Sequence, residues 1–221
     1  MINFEYDLGV VGLGYVGLPL AVESANAGLK VIGYDVNPER VHEINNGKSP
    51  IEDISDNELS KASNSFTASD DPALLSKCQH IVISVPTPLT DYQPDLSYVE
   101  AAAKSVGENL VSNQVIILES TTYPGTTLEV LVPNLEKYSN LKAGSDFFVG
   151  YSPERIDPGN KEWKFKNTPK VISGINEESL EKINSFYKKI IDETVIVKGT
   201  KEAEMVKLLE NTYRHVNIAL I

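Results

Sequence analysis

The sequence predicts an α/β fold, a doubly wound and mostly parallel sheet with helices on both faces. Three observations carry that expectation. Short apolar runs of strand length, such as Leu8–Val11, Lys30–Tyr34, His80–Val85 and Gln114–Leu118, alternate with helical patterns along the chain. The later runs are apolar at nearly every position, so both faces of those strands are expected to be buried, as in a parallel sheet. Polar, turn-forming clusters follow three of the strands, at Pro86–Thr87, Ser120–Thr121 and Ser152–Glu154. The carboxyl ends of the strands form the ligand crevice of an open parallel sheet, so all three clusters are expected on one rim. Each alone is more simply a turn former or helix cap.

The first unit is the most specific. Leu8–Val11 is followed by Gly12, Gly14 and Gly17, then a helical segment to Gly28, then a second strand ending in Asp35. Asp35 stands 23 residues after Gly12, close to the spacing of a Rossmann-like dinucleotide-binding unit. Gly12 permits the tight turn, Gly14 lets the backbone approach a pyrophosphate, and Gly17 lets the helix pack closely on the sheet. With Tyr15 and Val16 they are the expected cofactor contacts, because free N–H groups and the macrodipole at a helix start favour an anion. The Asp35 carboxylate can accept from both ribose hydroxyls and repels a 2′-phosphate, which predicts NAD over NADP. Arg40 is close enough to touch the cofactor; its simpler reading is a solvated residue of the helix after Asn37–Pro38.

The totals bound the rest. A chain of 221 residues holds one large α/β domain, or one plus part of another, and buries about 70% of its unfolded surface without staples. A net charge of −11 argues against nucleic acid as a partner. The single cysteine, Cys78, excludes a disulfide framework and fits a reducing cytoplasm. Leu8–Val22 is preceded by Glu5 and Asp7 and interrupted by glycines, unlike a signal peptide, and no run is long enough to span a membrane. A soluble cytoplasmic protein is expected, and no metal site is assigned.

After Asp35 the elements follow in order. Pro38–Asn46 reads as a helix with Pro in its first turn, Lys48–Asp56 as a polar loop, Asn57–Ala62 as a helix, Phe66–Ala68 as a strand and Asp71–Ser76 as a helical turn. The strand His80–Val85 stops at Pro86–Pro88. Leu89–Pro94 is a loop, Leu96–Leu110 a helix and Gln114–Leu118 a strand running into Glu119–Gly125. Thr126–Tyr138 is helical, and Asp146–Tyr151 is the sixth strand. Asn160–Pro169 reads as a surface loop, Lys170–Ser173 as a strand, Glu177–Ile191 as a helix and Thr194–Val197 as the last strand. From Thr200 the pattern is helical to the final residue, so the expected division is a nucleotide-binding domain over 1–198 and a helix over 199–221.

That last helix carries chemistry. Thr200 is the expected N-cap, with Glu202 and Glu204 near the start, where the dipole favours acids. Lys207 and Asn211 are four apart, share a face, and could stabilise an oxyanion. From spacing alone, a solvated Lys on an amphipathic helix is the simpler reading. Val216–Ile221 is mainly apolar with no stop signal, so the helix is expected to belong to a longer protein.

Several motifs agree with one family. Gly12–Pro19, Val85–Pro88, Glu119–Thr127, Tyr151–Arg155 and Ala203–Tyr213 together resemble the UDP-glucose/GDP-mannose dehydrogenases. Within that family, Ser152–Asn160 and Glu119–Pro124 look most like the UDP-N-acetylglucosamine 6-dehydrogenases. The resemblance implies two successive oxidations of a sugar C6 alcohol to a carboxylate, with two NAD+ reduced, through a cysteine-bound thiohemiacetal and thioester. Carried over by motif position, Lys207 and Asn211 stabilise oxyanions and position a water. Glu154 acts as, or orients, the base for thioester hydrolysis. Thr121 touches the nicotinamide end or that water, Thr87 touches the cofactor, and Pro86 shapes the loop beneath it. The family's nucleophilic cysteine is expected beyond residue 221, as is much of the UDP site, so these residues should bind NAD without completing the reaction. Cys78, which precedes a strand whose opposite end faces the cleft, reads as a small buried residue. A homodimer joined through a long central connecting helix, of which 199–221 is the first part, is implied for the full-length protein. UDP-N-acetylmannosamine or UDP-glucose as substrate, a β-hydroxyacid dehydrogenase, and a non-catalytic NAD-binding module stay open as alternatives.

Overall fold

A central strand with a glycine turn at its carboxyl end organises the chain. The structure is a computed structural model describing residues 3–91, 93–155 and 165–221. In chain order the elements are β1 (Tyr6–Val11), α1 (Gly17–Asn26), β2 (Val31–Tyr34), α2 (Pro38–Asn45), α3 (Asp56–Ala62), β3 (Phe66–Ser69), a 3-10 turn (Pro72–Lys77) and β4 (Cys78–Ile83). A two-residue hairpin, β5 (Leu89–Thr90) and β6 (Gln93–Pro94), lies in the expected loop and precedes α4 (Ser97–Glu108) and β7 (Val115–Leu118). A π-helical turn (Thr127–Leu131) leads into α5 (Val132–Ser139), then β8 (Phe148–Tyr151), β9 (Lys170–Gly174), α6 (Glu177–Tyr187), β10 (Thr194–Ile196) and α7 (Thr200–Ala219).

Among the described residues, eight strands form one sheet in the order β10-β9-β8-β7-β4-β1-β2-β3. From β3 to β8 every neighbouring pair is parallel. β9 lies antiparallel to β8, with Gly150 opposite Gly174, and β10 is parallel to β9. The chain passes from β9 to β10 through α6, a crossover that keeps those two strands parallel.

The central strands β1, β2, β4, β7 and β8 are buried on both faces because alternate side chains enter two separate cores. Leu8 and Val10 of β1, Val82 of β4 and Ile117 of β7 pack with Leu18 of α1 and Ile183 of α6. Val11, Ile81, Ile83 and Leu118 pack on the other face with Val99 of α4 and Leu135 of α5.

Local chemistry sets several boundaries. Asn37 caps α2 by accepting from the N–H groups of Glu39 and Arg40, and Ser55 with Glu58 closes a capping box on α3. Pro133 has no N–H to return, and the turn before it is widened: Val132 donates to Thr127 instead of the usual partner one residue nearer. Four expectations are corrected. Cys78 is the first residue of β4, not a residue before the strand. The N-cap of α7 is Gly199, with Thr200 buried inside the helix. Phe165, in the expected surface loop, packs in the first core. α6 ends at Tyr187, short of Ile191. Residues 156–164, which include the end of the Ser152–Asn160 motif and the start of that loop, lie outside the described residues.

Candidate functional site

The glycine turn opens a cleft of about 550 Å³ at the carboxyl ends of β1, β2 and β4. Gly12 has φ +93, in the left-handed region, and a Cβ there would meet the Ser84 carbonyl oxygen at 3.0 Å. At Gly14 a Cβ would have nothing within 4 Å, and the residue lines the cleft: a side chain there would fill the space a pyrophosphate needs. A Cβ at Gly17 would lie 1.9 Å from the Gly12 carbonyl oxygen and 2.4 Å from Ser84 Oγ. Gly17 therefore packs on the turn and the end of β4 and does not line the cleft, unlike Tyr15 and Val16. No side chain caps α1 and no acid stands in its first turn, which leaves the helix start to an anion.

Asp35 is buried and engaged by three donors in the turn. Its Oδ2 accepts from Leu13 N–H at 2.9 Å and from Arg40 Nη1 at 3.1 Å, and its Oδ1 accepts from Asn37 N–H at 2.9 Å. Arg40 is thus held on Asp35 at the cleft wall and is not merely solvated. A carboxylate offers about four lone-pair sites, so one remains for a ribose hydroxyl unless Arg40 moves aside. The open Gly14, the uncapped α1 and Asp35 fit a dinucleotide without a 2′-phosphate.

The other wall comes from the loops after β4 and β7, which are tied together. Thr87 Oγ1 donates to the Thr121 carbonyl at 2.6 Å, and Ser120 Oγ donates to the Val85 carbonyl at 2.8 Å. Pro86, Thr87 and Thr121 all line the cleft, as expected. The third polar cluster differs. Ser152 is fully buried and donates to the Val171 carbonyl, and Glu154 lies outside the cleft lining.

Glu154 is where α7 meets the sheet. Lys207 Nζ donates to the Glu154 carbonyl oxygen at 2.5 Å, so this lysine is half-buried and engaged, not solvated. Burial lowers the Lys207 pKa from its ordinary value. Asn211 follows one turn later, also half-buried. The Glu154 carboxylate is held twice, by Arg155 N–H at 2.7 Å on Oε1 and by Lys170 Nζ at 2.8 Å on Oε2. Arg155 clamps Glu210 of α7 through Nε and Nη2 and donates to the Pro169 carbonyl.

Sequence reasoning missed a buried network behind Glu154. Lys170 Nζ also meets Glu119 Oε1 at 2.9 Å, and Tyr187 donates to that oxygen at 2.5 Å. Burial pushes the Glu119 carboxyl up against the pull of Lys170, and pushes the Tyr187 phenol well up. Burial opposes the Lys170 charge, but Glu119 and Glu154 outweigh it and hold its pKa up. The available signal was a lysine opening an otherwise apolar strand. Glu204 was misread as an acid serving its own helix. It is buried, and accepts from Gly125 N–H at 2.5 Å, Thr127 N–H at 2.8 Å and Thr127 Oγ1 at 2.7 Å. Cys78 sits at the far end of β4 from the cleft, its thiol pushed up to about 12 by burial. Among the described residues no group of His, Cys, Asp and Glu could hold a metal ion, and no helix is long and apolar enough to cross a membrane.

Comparison with known proteins agrees with this geometry. Residues 6–191 match the model of the UDP-glucose/GDP-mannose dehydrogenase family, NAD binding domain. The chain is similar to UDP-N-acetyl-D-glucosamine 6-dehydrogenase of Pseudomonas aeruginosa, 45% identical over 98% of this chain and 51% of that protein. It is also similar to protein CapL of Staphylococcus aureus, 43% identical over 97% of this chain and 50% of the relative. Among solved structures, the UDP-D-ManNAc dehydrogenase of Pyrococcus horikoshii superposes with a TM-score of 0.90 at 37% identity, covering 96% of this chain and 51% of that one. The chain thus spans about half the length of the relatives it matches. By its glycine turn, its cleft and this match over most of its length, the chain belongs to the UDP-glucose/GDP-mannose dehydrogenase family and carries its NAD-binding domain.

Proposed function

We propose that the full-length protein oxidises the C6 alcohol of a UDP-hexosamine, UDP-N-acetylglucosamine, to the carboxylate in two NAD-dependent steps in the cytoplasm. The observation that carries this reading is the contact of the Lys207 ammonium with the Glu154 backbone carbonyl, while the Glu154 carboxylate is linked through Lys170 to Glu119, a residue of the cleft lining. Gly12, Gly14, Tyr15 and Val16 seat the pyrophosphate, with Gly17 packing α1 behind them. Asp35 takes the ribose, with Arg40 beside it, and Pro86, Thr87 and Thr121 bound the nicotinamide end. NAD, when bound, supplies the hydride acceptor. Lys207 and Asn211 steady negative charge developing on the substrate oxygen, because fixed donors in a partly dry site gain most from charge that appears only in the transition state. Glu154 orients a water for hydrolysis of the acyl intermediate. Cys78 lies at the far end of β4 from the cleft with its thiol pushed up by burial, which supports a nucleophile outside residues 1–221 and NAD binding without turnover by these residues alone.

The exposed apolar residues Leu209, Tyr213 and Val216 on α7 support a homodimer joined through this helix, which begins a connecting element at residue 199. The test is an NADH-formation assay on the full-length gene product with UDP-N-acetylglucosamine, UDP-N-acetylmannosamine and UDP-glucose. Two NADH per sugar, fastest with the first, is the expected result. A faster rate with another sugar corrects the substrate, and no rate with any of them overturns the reading.

A further inference from the structure

Lys170 is an expensive residue for its position. It opens β9 next to Val171 and Ile172, where an apolar side chain would complete the strand, yet its ammonium is buried between Glu119 and Glu154. Dehydrating three ionisable groups gains little stability over apolar packing, so such a cluster calls for another explanation. Its geometry supplies one. The two Glu154 oxygens are held separately, one by Arg155 N–H and one by Lys170, while the Glu154 backbone is held by Lys207. The plane of the carboxylate is thereby fixed relative to the Lys207 ammonium.

Glu119 and Tyr187 hold Lys170 from behind. Tyr187 rises from α6 and donates to the Glu119 oxygen that Lys170 also meets. The second Glu119 oxygen is buried with no hydrogen-bond partner among the described residues, a poor place for a full negative charge. Lys170 is thus shared between the two carboxylates, at 2.9 Å from Glu119 and 2.8 Å from Glu154.

We propose that Lys170 is a positioning residue for Glu154, seated by Glu119 and Tyr187 so that the Glu154 carboxylate stays ionised and fixed in orientation beside Lys207. This rests on the reading of Glu154 as the group that orients the hydrolytic water. Among the described residues, the charged and titratable groups facing Glu154 include Lys170 from β9, Lys207 from α7, Arg155 beside it, Glu119 after β7 and Tyr187 from α6, with Glu210 held on Arg155.

The test compares the full-length wild type with Lys170→Met/Glu119→Gln, which removes the cation and one buried carboxylate together. The double variant is expected to lose roughly 10- to 100-fold in kcat with little change in KM. The acid limb of its kcat profile should move to higher pH, because a carboxylate without its cation binds a proton more readily. A role confined to folding would lower the melting temperature and the active fraction and leave that limb in place, which would overturn the proposal. If the wild type shows no activity with any UDP-sugar, the functional reading fails, and the second measurement decides the positioning claim. That measurement is NMR of the lysine 15Nζ ammonium groups in the wild-type chain and in Glu154→Gln. A solvent-protected Lys170 signal that shifts in Glu154→Gln supports the proposal, and one that does not respond overturns it.

Discussion

Lys207 Nζ donates to the carbonyl oxygen of Glu154 at 2.5 Å, joining α7 to the loop after β8 across 53 residues of sequence. A lysine that looks solvated by its spacing is thereby fixed against the loop after β8. Lys207→Ala in the full-length protein is expected to lower kcat about 10²- to 10³-fold, as for a lost oxyanion donor, with KM little changed. Steady-state kinetics check this, and an unchanged kcat would remove Lys207 from the mechanism.

Gly14 and Gly17 differ in what surrounds them, and their variants should separate binding from folding. Gly14→Val points into open space, so the melting temperature should hold while NAD+ affinity collapses. Gly17→Ala puts a methyl 1.9 Å from a backbone oxygen and should cost about 1–3 kcal/mol of stability or more. Thermal denaturation with calorimetric NAD+ titration of this chain distinguishes them; a destabilised Gly14→Val with intact affinity would contradict the assignment.

Asp35→Ala removes the carboxylate proposed to take the ribose and releases the Leu13 and Asn37 N–H groups and Arg40. NAD+ binding should weaken at least tenfold, since about 1.4 kcal/mol of lost hydrogen bonding is one decade. With Arg40 freed, NADP+ should gain relative to NAD+. A calorimetric titration in which the wild type prefers NADP+ would reverse the cofactor assignment.

His80 predicts a slope in acid. Its ring stacks on Phe186 with centroids 4.6 Å apart, its Nδ1 lies 2.9 Å from the Asp7 carbonyl oxygen, and burial lowers its pKa from 6.5 to about 4. Above pH 6.5 the ring is neutral in both folded and unfolded chains, so its full contribution is present. Between pH 6.5 and 4 only the unfolded chain takes up the proton, and stability falls by about 3 kcal/mol. Urea unfolding across that range should show the loss, and His80→Phe should flatten it. An equal slope in the variant would assign the loss to other groups.

Glu204 ties α7 to the start of the helical segment after Gly125 by accepting from two backbone N–H groups and a hydroxyl. Glu204→Gln exchanges an acceptor for a donor facing those N–H groups and should cost about 1–3 kcal/mol, read as a lower melting temperature. A neutral effect would show that the capping adds nothing net.

The nucleotide-binding half was legible because its signals are local. Gly12, Gly14, Gly17 and Asp35 lie within one strand–helix–strand unit, and their backbone requirements follow from sequence spacing alone. The two rim clusters that line the cleft, Pro86–Thr87 and Ser120–Thr121, were legible for the same reason: each follows its own strand directly. The third could not be placed this way, because Ser152 turns inward to β9.

What the sequence by itself determined is the order of strands and helices, the glycine cradle with its acid, and the motifs that mark the family. Only the tertiary structure decided the reversed direction of β9 and β10, the Arg40–Asp35 pair, the burial of Glu204 against Thr127, and the meeting of Glu119, Lys170 and Glu154. The physical reason is distance along the chain. A backbone turn is specified by its own residues, whereas an ion pair between residues 51 apart, such as Glu119 and Lys170, exists only once the sheet has set β7, β8 and β9 side by side.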